Sequence, residues 1–239
     1  MKKIYYICLL VAFVFFMASC ENDIDNYDMP NGGIFGTVID EQTGEAIPFP
    51  VEGGSGVMVS LTEIETGATA PITFRANQDG TYRNTKVFNG YYRISFGNCP
   101  VVGIAEEYVE IKGQTEFDIL ALPFSRISAN ASISADNEIT VNYEVETLDP
   151  SFVLKNVQVM WNYAPGVDIN NANHANIATK GSAASGSHLF ELLNDREFVE
   201  NHYKIVSNKN KIYVRVSATT EVASMSNTNY SKVIELTIN

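Results

Sequence analysis

The chain has 239 residues, with 16 Lys and Arg against 28 Asp and Glu, giving a formal charge of −12. Such a surface repels polyanions and excludes nucleic acid as a partner. The length holds one large domain or two ordinary ones.

Residues 1–20 read MKKIYYICLLVAFVFFMASC. Lys2 and Lys3 form a positive n-region, and Ile4 to Met17 form an uncharged apolar run. Ala18 and Ser19 are the small residues a signal peptidase needs, so residues 1–19 are expected to be a cleaved signal peptide. The apolar run is shorter than the ~20 residues of a membrane span. Cys20, directly after Ala18-Ser19, resembles the lipid-attachment cysteine of bacterial lipoproteins, with Met17 where Leu is commoner. Acyl chains there anchor a protein to the membrane, each buried CH₂ contributing about 0.8 kcal/mol. Residues 20–32 are acidic and polar, and predict a flexible tether. Glu21, Asp23, Asp25 and Asp28 resemble the export signal of surface-displayed outer-membrane lipoproteins. Cys8 leaves with the signal and Cys20 takes the lipid. Cys99 then stands alone, and no internal disulfide is expected.

Period-two alternation dominates the rest, the mark of strands with one apolar face. Val57, Val59 and Leu61 alternate with polar or flexible neighbours, as do Tyr92, Ile94 and Phe96, then Phe117, Ile119 and Ala121. Thr43-Gly44, Asp79-Gly80 and Asn89-Gly90 supply the turns. Pro123 suits a strand exit, and places a boundary at Leu122-Pro123-Phe124. Ile127, Ala129, Ala131 and Ile133 then open a new series. Ile139, Val141, Tyr143 and Val145 follow, and Val157, Val159, Trp161 and Tyr163 share a phase that points Trp161 inward. Residues 165–187 read as a long polar loop with a short strand near Ile177. Residues 194–203 predict a short helix capped by Asn194, with Phe198, Val199 and Tyr203 on one face. Ile212, Val214, Val216 and Ala218 form a last apolar face, leaving Tyr213, Arg215, Ser217 and Thr219 on the polar side. The fold class is all-β: two antiparallel β-sandwich domains in tandem, at 33–122 and 123–239.

GTVIDEQTGEAIP (36–48), QDGTYR (78–83) and FNGYYRISF (88–96) resemble the carboxypeptidase regulatory-like, or transthyretin-like, sandwich. NKNKIYVRVSATTE (208–221) and NYSKVIELTIN (229–239) resemble a fibronectin type III or immunoglobulin-like domain. The mature chain as a whole resembles a family of two-domain lipoproteins of unknown function. These occur beside outer-membrane glycan-uptake pairs of Gram-negative gut bacteria. The resemblance implies an outer-membrane, surface-exposed lipoprotein that binds glycan or glycan-uptake proteins, and it transfers no catalytic residue.

Little chemistry is legible. His174, His188 and His202 lie far apart without cysteine partners, so no metal site is expected. Gly53-Gly54-Ser55-Gly56-Val57 lacks the glycine spacing and the strand-to-helix setting of a nucleophile elbow. Cys99 has no nearby His or Lys to activate it. No cofactor is implied, and the chain is expected to be non-catalytic. Glycan binding asks for aromatic rings outside the core. Tyr91 and Tyr213 fall in the polar phase and are the candidates, with Asp168, Asn170, Asn171 and Asn173 as polar groups on the long loop. The first sandwich is expected to act as a spacer and the second to present the site. The alternative is a structural or adhesion subunit that offers a sheet edge to a partner strand. A small surface hydrolase ranks last.

Overall fold

In the first half the alternating apolar positions close on each other from two sheets. β1 (Gly32–Asp40), β4 (Thr81–Val87), β6 (Val101–Val102), β8 (Gln114–Glu116) and β9 (Ile119–Pro123) make one sheet. β2 (Met58–Glu63), β3 (Ile72–Arg75), β5 (Gly90–Gly97) and β7 (Glu107–Ile111) make the other. Ile34 and Val38 of the first sheet meet Val59, Leu61 and Ile94 of the second in a shared core. Pairing is mostly antiparallel, but β1 runs parallel to both β8 and β9, with Val38 opposite Ile119. Close approach fixes two glycines. A Cβ on Gly36 would lie 1.9 Å from the Phe117 carbonyl oxygen, which also accepts the Tyr82 hydroxyl. Gly80 turns with φ of +89°, and its Cβ would meet the Ile47 carbonyl at 2.5 Å; only glycine suits both demands.

These elements come from a computed structural model that describes residues 28–54, 56–104 and 106–238. The expected signal peptide, Cys20 and the tether as far as Tyr27 lie outside the described residues, as does Ser55.

The second half repeats the principle. β10 (Ser125–Ile133), β11 (Glu138–Thr147) and β14 (Ser185–Glu191) form a three-stranded sheet in the order β10-β11-β14. β12 (Val153–Asn162), β13 (Asn176–Thr179), β15 (Lys211–Val222), β16 (Met225–Tyr230) and β17 (Ile234–Thr237) form the facing sheet. Ile139, Val141, Trp161 and Val214 lie in its core and are fully buried. Phe124 alone separates β9 from β10, and Asn31–Asn239 form one compact unit.

The helix differs from its expected form. α1 runs Arg196–Ser207, and its cap is Asp195, whose carboxylate accepts the Glu197 N–H at 2.9 Å. Asn194 instead donates to Glu191. Phe198 and Ile205 are the helix's buried residues, while Val199 and Tyr203 are exposed. Asp195 wins the capping position because its carboxylate also answers two core donors, Trp161 Nε1 at 3.0 Å and Asn176 Nδ2 at 2.8 Å.

The larger departure is β15, which is buried on both faces. Arg215 and Ser217, on its supposedly solvent-facing side, are 0% and 1% exposed. That side packs against the first sandwich and against the segment around Val167.

Candidate functional site

The sequence-predicted residues divide into two groups. Tyr213 is buried, packed with Met160 and Val167, and its hydroxyl accepts from Asn208 at 3.3 Å. It is therefore no platform for a ligand; the alternation misled because β15 has no solvent face. Asp168 is also fully buried. Its carboxylate accepts the Val51 N–H at 2.9 Å, its own loop's Asn170 N–H at 2.8 Å and Asn173 Nδ2 at 3.0 Å. Asp168 and Asn173 are thus occupied in holding the loop against the first sandwich. Asn170 and Asn171 stay exposed at the loop tip. The strand expected near Ile177 is β13.

Arg215 stands beside Asp168 in this joint. Its guanidinium donates to four carbonyls: Ser231 at 2.8 Å, Val167 at 2.9 Å, Phe49 at 2.8 Å and Gln78 at 3.1 Å. It also lies 4.5 Å from the centroid of the Tyr230 ring. The planar fork and its five N–H groups suit this task where a lysine ammonium does not. Burial pushes its pKa down to about 10, so it remains charged at neutral pH. Asn229 adds another link, donating to the Pro100 carbonyl at 2.9 Å and accepting the Ser125 N–H at 3.1 Å.

At the edge of the joint Arg126 grips Asp40 with Nε and Nη2, at 2.5 and 2.9 Å. The Arg126 hydrogen bond holds the Asp40 carboxyl below its ordinary range, against the opposing effect of burial. A depressed carboxylate contributes stability that is fully present above its unfolded pKa, about 4, and lost as pH falls through the lower folded value. Melting temperature should therefore drop more steeply below pH 4 in the wild type than in Asp40→Asn; parallel curves would show that the pair adds nothing.

Tyr91 is exposed as expected, and a second ring joins it. Tyr91 and Tyr108, on neighbouring strands β5 and β7, are 41% and 48% exposed. Their rings lie nearly parallel, 16° apart, with centroids separated by 6.0 Å. Register explains the pair: Tyr91 opposes Glu110 and Arg93 opposes Tyr108, so the two tyrosines meet diagonally on one face. Arg93 pairs with Glu106 at 3.1 Å, and Glu110 with Lys112 at 2.7 Å, so charged groups border the rings. Tyr108 has a weak sequence signal because β7 is short and only Val109 and Ile111 mark its inward face.

A cleft of about 520 Å³ opens on another side, between the joint and β10. Asp40, Arg126, Lys232, Ile127, Pro48 and Ile234 are among its lining residues. Lys232 and Glu45 form an exposed pair at 3.1 Å across its mouth.

The three histidines occupy separate places. His174 Nδ1 meets the Asp168 carbonyl, His188 accepts from Lys180 at 2.9 Å, and His202 packs on Phe198. Among the described residues no cluster of His, Cys, Asp and Glu is arranged to hold a metal ion. Burial against the first core pushes the Cys99 thiol up to about 12, which leaves it unreactive at neutral pH.

Residues 33–121 match the family model described as protein of unknown function (DUF3823), N-terminal domain. Solved structures of DUF3823 proteins share the fold. One from Parabacteroides merdae is 21% identical, with a TM-score of 0.70, covering 87% of this chain and 100% of its own. One from Bacteroides uniformis is 19% identical, with a TM-score of 0.67, covering 88% and 100%. A further Bacteroides uniformis protein, provisionally described as carbohydrate binding, is 20% identical, with a TM-score of 0.69, covering 87% and 100%. No curated protein matches the chain.

Proposed function

We propose that the chain is a non-catalytic outer-membrane lipoprotein, anchored through Cys20 and displayed at the cell surface, that binds glycan as an accessory of a glycan-uptake system. The observation that carries this reading is the Tyr91–Tyr108 pair, two exposed, nearly parallel rings bordered by Arg93, Glu106 and Glu110. Ring faces receive the C–H face of a sugar, and charged neighbours accept and donate to its hydroxyls. The provisional description of a structural relative as carbohydrate binding supports the same reading. The first sandwich then presents the site instead of serving as a spacer.

The test is a glycan array probed with the chain from residue 21. If each ring contributes on the order of 1 kcal/mol, replacing both by alanine should weaken binding roughly 30-fold. Replacing both by phenylalanine should retain most of it. A pair that serves only cross-strand packing would show a lower melting temperature in the alanine variant and unchanged glycan affinity. Binding to no glycan on the array would end the proposal. The anchor is tested separately: Cys20→Ala should release the protein from membranes and abolish incorporation of fatty-acid label.

A further inference from the structure

We infer that the cleft beside β10 receives an extended polypeptide segment of a partner protein, which adds as a strand to the free edge of β10. The inference is independent of the tyrosine pair.

Hydrogen-bond register shows what that edge offers. The Ser134 N–H donates to Glu138 at one end of the β10–β11 ladder, and the Leu148 N–H donates to Phe124 at the other. Antiparallel ladders alternate between bonded and non-bonded pairs. The bonded pairs are therefore the even positions of β10, Arg126 with Glu146, Ser128 with Glu144 and Asn130 with Asn142. Ile127 and Ala129 lie at non-bonded positions, and their N–H and C=O groups point away from β11. β10 is terminal in its sheet, and among the described residues no strand of that sheet lies on that side. Ser125, which has the same orientation, already gives its N–H to Asn229.

The cleft lies along this edge and not over one face of the strand. Five consecutive β10 residues, Ser125 to Ala129, line it, whereas a cavity over a face would touch alternate residues. Its other walls are Asn229–Lys232 and Ile234, at the edge of the facing sheet, and Ala46–Pro48 from the first sandwich. The cleft thus follows the seam between the two sheets of the second sandwich, alongside the outward groups of Ile127 and Ala129.

Chemistry chooses the occupant. The free groups at Ile127 and Ala129 repeat every two residues, about 6.8 Å along a strand, and each position offers one donor and one acceptor. That is the complement of an extended peptide backbone, which binds sheet edges through its main chain and is selected by alternate side chains. Inward positions of the incoming strand meet Ile127, Ile234 and Pro48, and call for apolar side chains. Outward positions lie near exposed Ser128 and Glu45 on a protein of charge −12, which disfavours an acidic segment. The partner segment therefore alternates apolar and polar residues and carries no net negative charge.

The test uses the chain from residue 21 and a capped seven-residue peptide, Lys-Val-Thr-Val-Thr-Val-Lys. Amide hydrogen exchange should slow at Ile127 and Ala129 and stay unchanged at Ser128, whose N–H is already in the ladder. At peptide tenfold above its Kd the slowing should be about tenfold. Ala129→Pro removes an outward donor and no ladder bond, and should abolish the effect at Ile127 while Trp161 emission reports an intact core. Because the exchange pattern is read in the unaltered protein, the inference stands or falls even if that variant misfolds. No slowing at millimolar peptide would overturn it, and so would slowing by cellohexaose in place of the peptide. Tyr91→Ala with Tyr108→Ala should leave the peptide effect intact, which separates failure of this inference from failure of glycan binding.

Discussion

Replacing Arg215 by alanine is expected to cost about 3–5 kcal/mol, the range for removing a buried charge that others depend on. Four carbonyls, on Ser231, Val167, Phe49 and Gln78, lose their donor at once, and each acceptor left dry costs about 1 kcal/mol or more. Asp168 is left fully buried without the neighbouring positive charge. In a protein of this size the loss corresponds to a fall in melting temperature of roughly 10 °C. Arg215→Lys should be intermediate, because one ammonium cannot span four acceptors held by separate segments. Arg215→Met fills much of the volume, yet it should remain nearly as damaging as alanine, since the carbonyls still go unanswered. Denaturant unfolding followed by the emission of Trp161, the single tryptophan, measures all three. A cost under about 1 kcal/mol for alanine would show that water takes over the four acceptors, and would remove Arg215 from its role as the fastener.

The joint has a structural consequence. Phe49 and Gln78 belong to the first sandwich, and Val167 and Ser231 to the second, so one guanidinium bonds both. Asp168 on Val51 and Asn229 on Pro100 repeat the arrangement with other donors and acceptors. Asn31–Asn239 is accordingly one compact unit. The tyrosine pair on β5 and β7 and the cleft beside β10 are therefore carried on a single scaffold. A glycan bound at the proposed tyrosine site would then have a defined relation to a strand bound at the proposed β10 edge.

Legibility in the sequence followed the number of faces each strand turns to water. β11 reads cleanly, with Ile139, Val141, Tyr143 and Val145 buried and Asn142, Glu144 and Glu146 outward or partly so. Trp161 is inward as its phase predicts. Failure came where a second layer covers the polar side. On β15 the Tyr213, Arg215 and Ser217 side looks solvated from residue type, yet the first sandwich and the Val167 segment bury it. Asp168 was misread for the same reason: a polar loop residue suggests a ligand site until its carboxylate is found occupied by backbone N–H groups. Tyr91 was legible because it alternates with buried Tyr92 and Ile94, whereas Tyr108 needed the β5–β7 register to become visible. An arginine that fastens one pair of sheets to the other leaves no mark in a one-dimensional pattern, since its four acceptors are backbone carbonyls that every residue possesses.

Trp161→Ala is the other change expected to be severe, at about 3–5 kcal/mol. The ring is fully buried, and it meets Phe198 edge-on with centroids 6.3 Å apart. Truncation opens a cavity in the second core and releases the helix that Phe198 ties down. It also strips one donor from the Asp195 carboxylate, which receives Trp161 Nε1 and Asn176 Nδ2 on one oxygen and caps α1 with the other. Packing and capping separate by variant. Trp161→Phe deletes the N–H and about a third of the ring atoms, so it should cost about 1–2 kcal/mol for the hydrogen bond plus the term for a cavity smaller than alanine leaves. Asp195→Ala keeps the ring, removes the cap and orphans the indole donor; capping alone is worth about 0.5–2 kcal/mol, and the stranded N–H adds about 1–3 kcal/mol. If the carboxylate is the shared partner, Trp161→Phe should cost less in an Asp195→Ala background than alone by about the 1–2 kcal/mol of the hydrogen bond, a coupling that circular dichroism in urea can measure. Additive losses would mean that indole and helix cap are held independently, and that the tryptophan stabilises this sandwich by packing alone.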